Sequence, residues 1–272
     1  MSPQVTVVGN LSIDVVDGSS PTPGGCPSFV GPALAPLGDK ARILTAAERI
    51  HLPFFLETLQ ATGVPFDVIE STTTSSFGLR YSGLGERTMT VEAIGPQWTA
   101  GELSEVRGFV HVSGLLRSDF PLAAIRALHR NGCWISFDGQ GLVRVPRVGE
   151  LRFDARFDRE YLTHLSVLKL ASEEADAIAG RVFDSGGARA LGVQEVLVTH
   201  GEKGCDLYVN GDVVHVPAPW RVEGVQTTGA GDMFTTSYVV ARAQGIDPLE
   251  AAHLSGRVVA VQLSARKVMT GP

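Results

Sequence analysis

The chain has 272 residues, 44% of them hydrophobic and 19% charged, which suits a folded α/β protein and excludes a disordered one. A formal net charge of -6 gives no electrostatic footing for nucleic acid or an anionic membrane. The cysteines Cys26, Cys133 and Cys205 are scattered, without a C-x-x-C pair or a His cluster, so reduced thiols are expected rather than disulfides or zinc.

The N-terminal MSPQVTVVGN lacks a basic and then apolar leader, and no apolar run reaches the ~20 residues of a membrane span. The expected location is the cytoplasm. Val5–Val8 is a β-branched run ending at Gly9 and predicts a buried strand. RILTA (Arg42–Ala46) predicts another, Pro53–Thr62 an amphipathic helix, and Val64–Ile69 a further strand. Ser75–Ile94 has β-formers on both sides of GLGE and predicts a hairpin inserted into the α/β body, either an edge hairpin or a lid that excludes water. From Phe109 the chain alternates: FVHVSG, helix-like FPLAAIRALHRNG, WISFDG, LSVLKL, helix-like SEEADAIAG, EVLVTHG. Such alternation implies βαβ units and a doubly wound, mostly parallel sheet with helices on both faces, in one domain spanning residues 1–272.

QTTGAGDMF (Gln226–Phe234) carries the most chemistry. Two glycines around an alanine lead into a helix, exposing N–H groups at the positive end of its dipole, which is a ready anion site. Asp232 in the first turn is either a structural helix-end charge or a base facing a reacting group. No G-x-x-x-x-G-K-[ST] segment is present, which excludes a P-loop enzyme.

Five segments in register resemble the ribokinase-like (PfkB) family of carbohydrate and nucleoside kinases. TTGAGDMF resembles its signature T-[TS]-G-A-G-D-x-F, and GGCPSFVGPALAPLG (Gly24–Gly38) its N-terminal Gly-Gly signature. VGNLSID (Val8–Asp14), KLASEEADAIAG (K-x-N-x-x-E in the family) and VLVTHGEKGCDLY (strand, then T-x-G-x-x-G) follow the same order and spacing. The resemblance implies ATP-dependent phosphorylation of an alcohol, with Mg²⁺, by a ribokinase-like fold carrying a small β lid at about 75–94. Asp232 would take the alcohol's proton, and the N–H groups around Gly229, Ala230 and Gly231 would hold the transferring phosphoryl group.

The resemblance also places Lys169 and Thr228 near the donor's phosphates, and Thr199, Gly201 and Gly204 at the nucleotide-side turn. His253 would lie beside the adenine, unless it is a packing or surface residue of its helix. Glu174 would organise Mg²⁺, although the family's asparagine three residues earlier is Ala171 here. Asp14 would bind substrate hydroxyls, with Gly24 and Gly25 allowing close approach and Ser28 nearby. GGCPSFVG with DGQGLVR (Asp138–Arg144) is more similar to the inositol-kinase branch, with Gln140 and Arg144 as donors to ring hydroxyls. The expected partner is thus a small polyol, a cyclitol first. A ribokinase or nucleoside kinase, or a non-catalytic sugar binder, are the alternatives. A phosphosugar would need Arg80 and Arg87. The protein would be a monomer or a homodimer formed through the lid. In potassium-activated relatives an aspartate precedes the T-T-G-A-G-D run, where this chain has Gln226.

Overall fold

The structure, a computed structural model, describes residues 4–81 and 87–270. Strands β1 (Val5–Asn10), β2 (Ser12–Val16), β3 (Thr22–Gly24), β4 (Ala41–Glu48), β5 (Phe66–Ser71), β6 (Ser75–Tyr81) and β7 (Arg87–Ala93) make up the first half. Strands β8 (Phe109–Ser113), β9 (Trp134–Asp138), β10 (Gly149–Glu150), β11 (Val167–Ala171), β12 (Glu195–Thr199), β13 (Cys205–Val209) and β14 (Asp212–Val216) complete the set. The helices are α1 (Gly31–Leu34), α2 (Leu52–Ala61), α3 (Leu122–Arg130), α4 (Gln140–Val143), α5 (Glu160–Thr163), α6 (Ser172–Ala179), α7 (Ser185–Leu191), α8 (Ala230–Ala243) and α9 (Pro248–Thr270).

The large sheet has the order β14-β13-β12-β11-β9-β8-β1-β4-β5, parallel from β12 through β5 and antiparallel at β13 and β14. Its central strands are buried on both faces, and side-chain alternation sends neighbours to opposite layers. Val5 and Val7 pack under α8 with Val30, Leu34 and Val239. Val8 joins the opposite layer with Ile125 and Leu128 of α3 and Ile178 of α6. The outcome is the expected doubly wound α/β fold. β1 pairs with β4 on one side and β8 on the other, so the chain reverses its direction of travel across the sheet there. Crevices at the carboxyl ends of strands at such a reversal are where α/β proteins bind ligands.

The inserted β element is larger than the predicted hairpin. β6 and β7 pair as expected, with the GLGE turn outside the described residues, but they belong to a five-stranded sheet in the order β10-β7-β6-β2-β3. Asp14 therefore sits in β2 of this second sheet, paired with Phe77 of β6, and not at the tip of β1. One residue, Leu11, separates β1 from β2, so VGNLSID bridges both sheets. Phe77, Leu79 and Val91 bury one lid face against the chain's own Leu115 and Leu116. Among the described residues, no helix is long and apolar enough to cross a membrane.

Candidate active site

The two glycine-rich signatures meet at the carboxyl end of the sheet. Gly229 precedes α8 with φ +78, and a Cβ there would lie 2.2 Å from Cγ of Phe29, so only glycine fits. Gly25, with φ +81, lies against the carbonyl of Asn10, where a Cβ would approach to 2.3 Å. This close packing lets the Cys26 thiol hydrogen-bond to Asp232. Gly24 serves the other side: its Cβ would fall 2.2 Å from Oδ2 of Asp14. Ser12 Oγ donates to Asp14 Oδ1 at 2.8 Å, while the Ser28 hydroxyl is spent on the Gly24 carbonyl at 2.9 Å. Asp14, Gly24, Gly25 and Ser28 thus form one wall.

The opposite wall is a buried cluster of charge. Parallel register sets Asp138 at the end of β9 beside Lys169 of β11. Lys169 Nζ lies 3.3 Å from Asp138 Oδ2, and Asp138 is 1% exposed. Asp138 Oδ1 also accepts from the backbone N–H of Gln140 at 3.3 Å, fixing the start of α4. Arg144, at the end of that helix, points its Nη2 to within 3.9 Å of Glu174 Oε1. Three carboxylates (Asp138, Glu174, Asp232) therefore share two cations (Lys169, Arg144). Burial opposes the charge on Lys169, but Asp138, Glu174 and Asp232 outweigh it and hold the ammonium protonated.

Asp232 is partly buried in the first turn of α8. Burial first, and the negative charge of Asp138 second, push its carboxyl up to about 6, against the pull of Lys169, the Cys26 thiol and Arg144. A carboxylate tuned toward neutrality accepts a proton more readily than an ordinary aspartate and is still ionised above pH 6. Asp138, which sequence reading passed over as a strand end, is thus integral to the site. Its role rests on pairing with Lys169, in the middle of β11, a contact that only the sheet order brings about.

Glu174 is held by two contacts within the chain. Its Oε2 accepts from the Ala171 N–H at 2.8 Å, capping α6, and the side chain is 3% exposed, with burial raising its pKa. With its other oxygen toward Arg144, it does not fit a direct Mg²⁺ ligand. Among the described residues there is no group of three or more His, Cys, Asp or Glu able to hold a metal. The oxygens of a bound phosphate donor are the ligands such an ion would take.

Beyond the GAG turn a cavity of about 410 Å³ opens. Ala230 and Gly231 line its inner end, and Thr199, Gly201 and Gly204 line its flank. Its outer end is apolar, made by Val216–Pro219, Trp220 and the α9 face of Ala252, Gly256, Val259, Ala260 and Leu263. Thr227 rather than Thr228 lines the inner end; the Thr228 carbonyl accepts from Arg266 Nη1 at 2.8 Å. His253 lies on the exposed side of α9, one residue from Ala252, and does not line the cavity. Of the two arginines a phosphosugar would need, Arg80 is exposed on the lid.

Residues 19–270 match the pfkB family of carbohydrate kinases. Fructokinase of Klebsiella pneumoniae is 28% identical over 277 residues, covering 89% of this chain and 85% of its own. Inositol 3-kinase of Zea mays is 32% identical over 136 residues, 50% of this chain and 32% of its own. Among solved structures, a pyrophosphate-dependent kinase in the ribokinase family, complexed with a pyrophosphate analog and myo-inositol, aligns with a TM-score of 0.83 at 26% identity. That alignment covers 96% of this chain and 95% of the other. Arabidopsis thaliana ribokinase, complexed with ribose and ATP, shares the fold at a TM-score of 0.72 and 19% identity, over 98% and 94% of the two chains. With its signatures joined at one site and the match spanning nearly its whole length, this chain belongs to the pfkB family of carbohydrate kinases.

Proposed function

We propose that the protein transfers the γ-phosphoryl group of ATP to a hydroxyl of a small polyol, a cyclitol such as myo-inositol first, with Asp232 as the base. The acceptor lies between Asp14 and Gly24–Gly25 on one side and Gln140 and Arg144 on the other. Asp232 takes the proton of the attacking hydroxyl as its oxygen bonds to the γ-phosphorus and the bond to the bridging oxygen of ADP breaks. The N–H groups of the Gly229–Asp232 turn receive the charge on the transferring oxygens. Lys169 adds a fixed positive charge beside Gly231, where a Cβ would lie 3.4 Å from its Nζ. Mg²⁺ bound by the donor's phosphates would neutralise part of their charge.

One observation carries the choice of ATP over the pyrophosphate used by the structural relative. The cavity that begins at the GAG turn continues into an apolar chamber, and its about 410 Å³ is within the range of roughly 300–1,000 Å³ that organic ligands occupy. Pyrophosphate would leave the apolar end empty, whereas a nucleoside fills it. The acceptor choice rests on Gln140 and Arg144 in DGQGLVR and on the inositol kinases among the relatives. The fructokinase and ribokinase relatives support a sugar as the second reading.

A screen of purified enzyme with ATP or pyrophosphate as donor tests both parts, across inositols, pentoses, hexoses and nucleosides, with phosphorus NMR of the products. ATP with an inositol is expected to give the fastest transfer. Turnover with pyrophosphate alone would overturn the donor, and faster transfer to fructose, ribose or a nucleoside would overturn the acceptor while leaving the kinase.

A further inference from the structure

The apolar chamber also has a particular way of holding whatever fills it. Trp220 is 46% exposed, whereas Trp98 is buried to 2%, and a large aromatic left open beside a cavity is a surface awaiting a partner. Its ring is fixed rather than loose, because Nε1 donates to Ser264 Oγ of α9 at 3.2 Å. Across the mouth, Arg221 Nε pairs with Glu202 Oε2 at 2.8 Å and lies 3.3 Å from Glu223 Oε1, tying the Trp220 loop to the turn at Gly201–Lys203. Ala252, Gly256 and Ala260 repeat every four residues along α9 on the row that continues to Ser264, a line of small residues with Pro219 packed over Gly256.

The polar side chains lining the outer chamber are few and sit at its mouth. Arg221 and Glu202 hold each other, and the Trp220 N–H is taken by Ser264. No Asn, Gln, Asp, His or Lys side chain is among the lining residues. A flat, polar-edged ring placed here meets stacking surface and small aliphatic groups, with only the exposed Arg221–Glu202 pair at the mouth near its edge.

Taking the ATP-type donor reading as its basis, we propose that Trp220 is the platform on which the donor's base stacks. We propose further that the site accepts purine nucleoside triphosphates with little regard to which purine they carry. Selectivity among donors then comes from the phosphates at the GAG turn and from ring size. A pocket without hydrogen-bonding side chains discriminates similar ligands weakly, whereas one built to pair a specific edge rejects the wrong ligand by about 10⁴-fold or more. Smaller pyrimidine rings cover less of the indole and are expected to be poorer donors.

The test uses full-length enzyme with a saturating acceptor and ATP, GTP, ITP, CTP, UTP or pyrophosphate as donor. ATP, GTP and ITP are expected to agree in kcat/KM within about tenfold. Trp220→Ala should raise KM for all three by a similar factor, about 5- to 100-fold as for loss of a base–aromatic stack, with the acceptor's KM unmoved. Trp220→Phe should retain most of the affinity, and nucleotide binding should quench indole fluorescence in the wild type far more than in Trp220→Phe. A preference for one purine above about 10³-fold, or unchanged nucleotide KM in Trp220→Ala, overturns the proposal while the ATP reading stands. If pyrophosphate alone turns over and no nucleotide alters the fluorescence, the donor reading itself falls and takes this proposal with it.

Discussion

Asp232, proposed above as the base, shows the cost of burying a carboxyl inside a protein. Its carboxyl is held at about 6 in the fold against an ordinary 3.8, so the folded state binds its proton more tightly than the unfolded chain does. The sign follows: its contribution to stability is complete below about pH 4 and is lost as pH rises through about 6. At about pH 7.5 the ionised group therefore opposes folding, and Asp232→Asn is expected to raise stability, by up to about 3 kcal/mol in a denaturant titration. Catalysis runs the other way, because the base must be ionised. The wild-type kcat/KM should climb as pH passes about 6 and then level, and an acid limb near 4 would mean the cluster around Asp138 does not tune this group.

Arg144 is a residue with two duties. Its proposed contact with the acceptor predicts that Arg144→Ala raises the acceptor's KM by about 10- to 100-fold, the loss of a charged hydrogen bond. It also faces the buried Glu174, which the same change leaves with Lys169 as its one remaining cation of the cluster, so the melting temperature should fall as well. Adding Glu174→Gln should restore much of the stability and none of the KM. Recovery of KM in the double variant would reassign Arg144 to a purely structural role.

At the scale of elements, the parallel strands of the large sheet were legible because buried parallel strands read as apolar, β-branched runs, whereas the antiparallel β13 and the largely exposed β14 were not read as strands. The second sheet was legible only at β6 and β7. β2 follows β1 after the single residue Leu11, with no turn residue to announce a break. β3 is only Thr22–Gly24 and contains Pro23, and β10 is two residues long, so neither carries a period. The site was legible where a glycine motif marks it, in the GAG turn and the Gly24–Gly25 pair. It was illegible where it depends on pairing across the sheet, as Asp138 does with Lys169, or on a distant helix face, as the outer chamber does. The junction of α8 with the N-terminal segment gives a sharp test. Gly229→Ala places a methyl 2.2 Å from the Phe29 ring carbon at φ +78, so either the ring or the N–H donors must move. Turnover should drop on the order of 10²-fold, the scale of a lost oxyanion-type donor. An unchanged rate would place the phosphoryl group away from this turn.

Across the whole molecule, α9 connects the donor chamber to the GAG turn. Its Arg266 sends Nη1 to the carbonyl oxygens of Gln226 and Thr228, at 3.3 and 2.8 Å. A guanidinium thus already satisfies carbonyls of the loop that, in the family's potassium-activated members, is preceded by an aspartate. Gln226 brings no compensating negative charge. Rates in potassium and tetramethylammonium buffers are therefore expected to agree closely, and a many-fold stimulation by potassium would contradict this reading of the loop. The apolar face of the second sheet is likewise spent inside the chain, on Leu115 and Leu116.

The most direct test of the account is Asp232→Asn assayed by ADP release from ATP with the best acceptor, alongside its ATP affinity by calorimetry. The account predicts a loss of turnover of roughly 10²–10⁴-fold, the contribution of a positioned base, with ATP affinity close to that of the wild type. Near-normal turnover in a folded variant would contradict it, since the proton of the attacking hydroxyl would then have another destination.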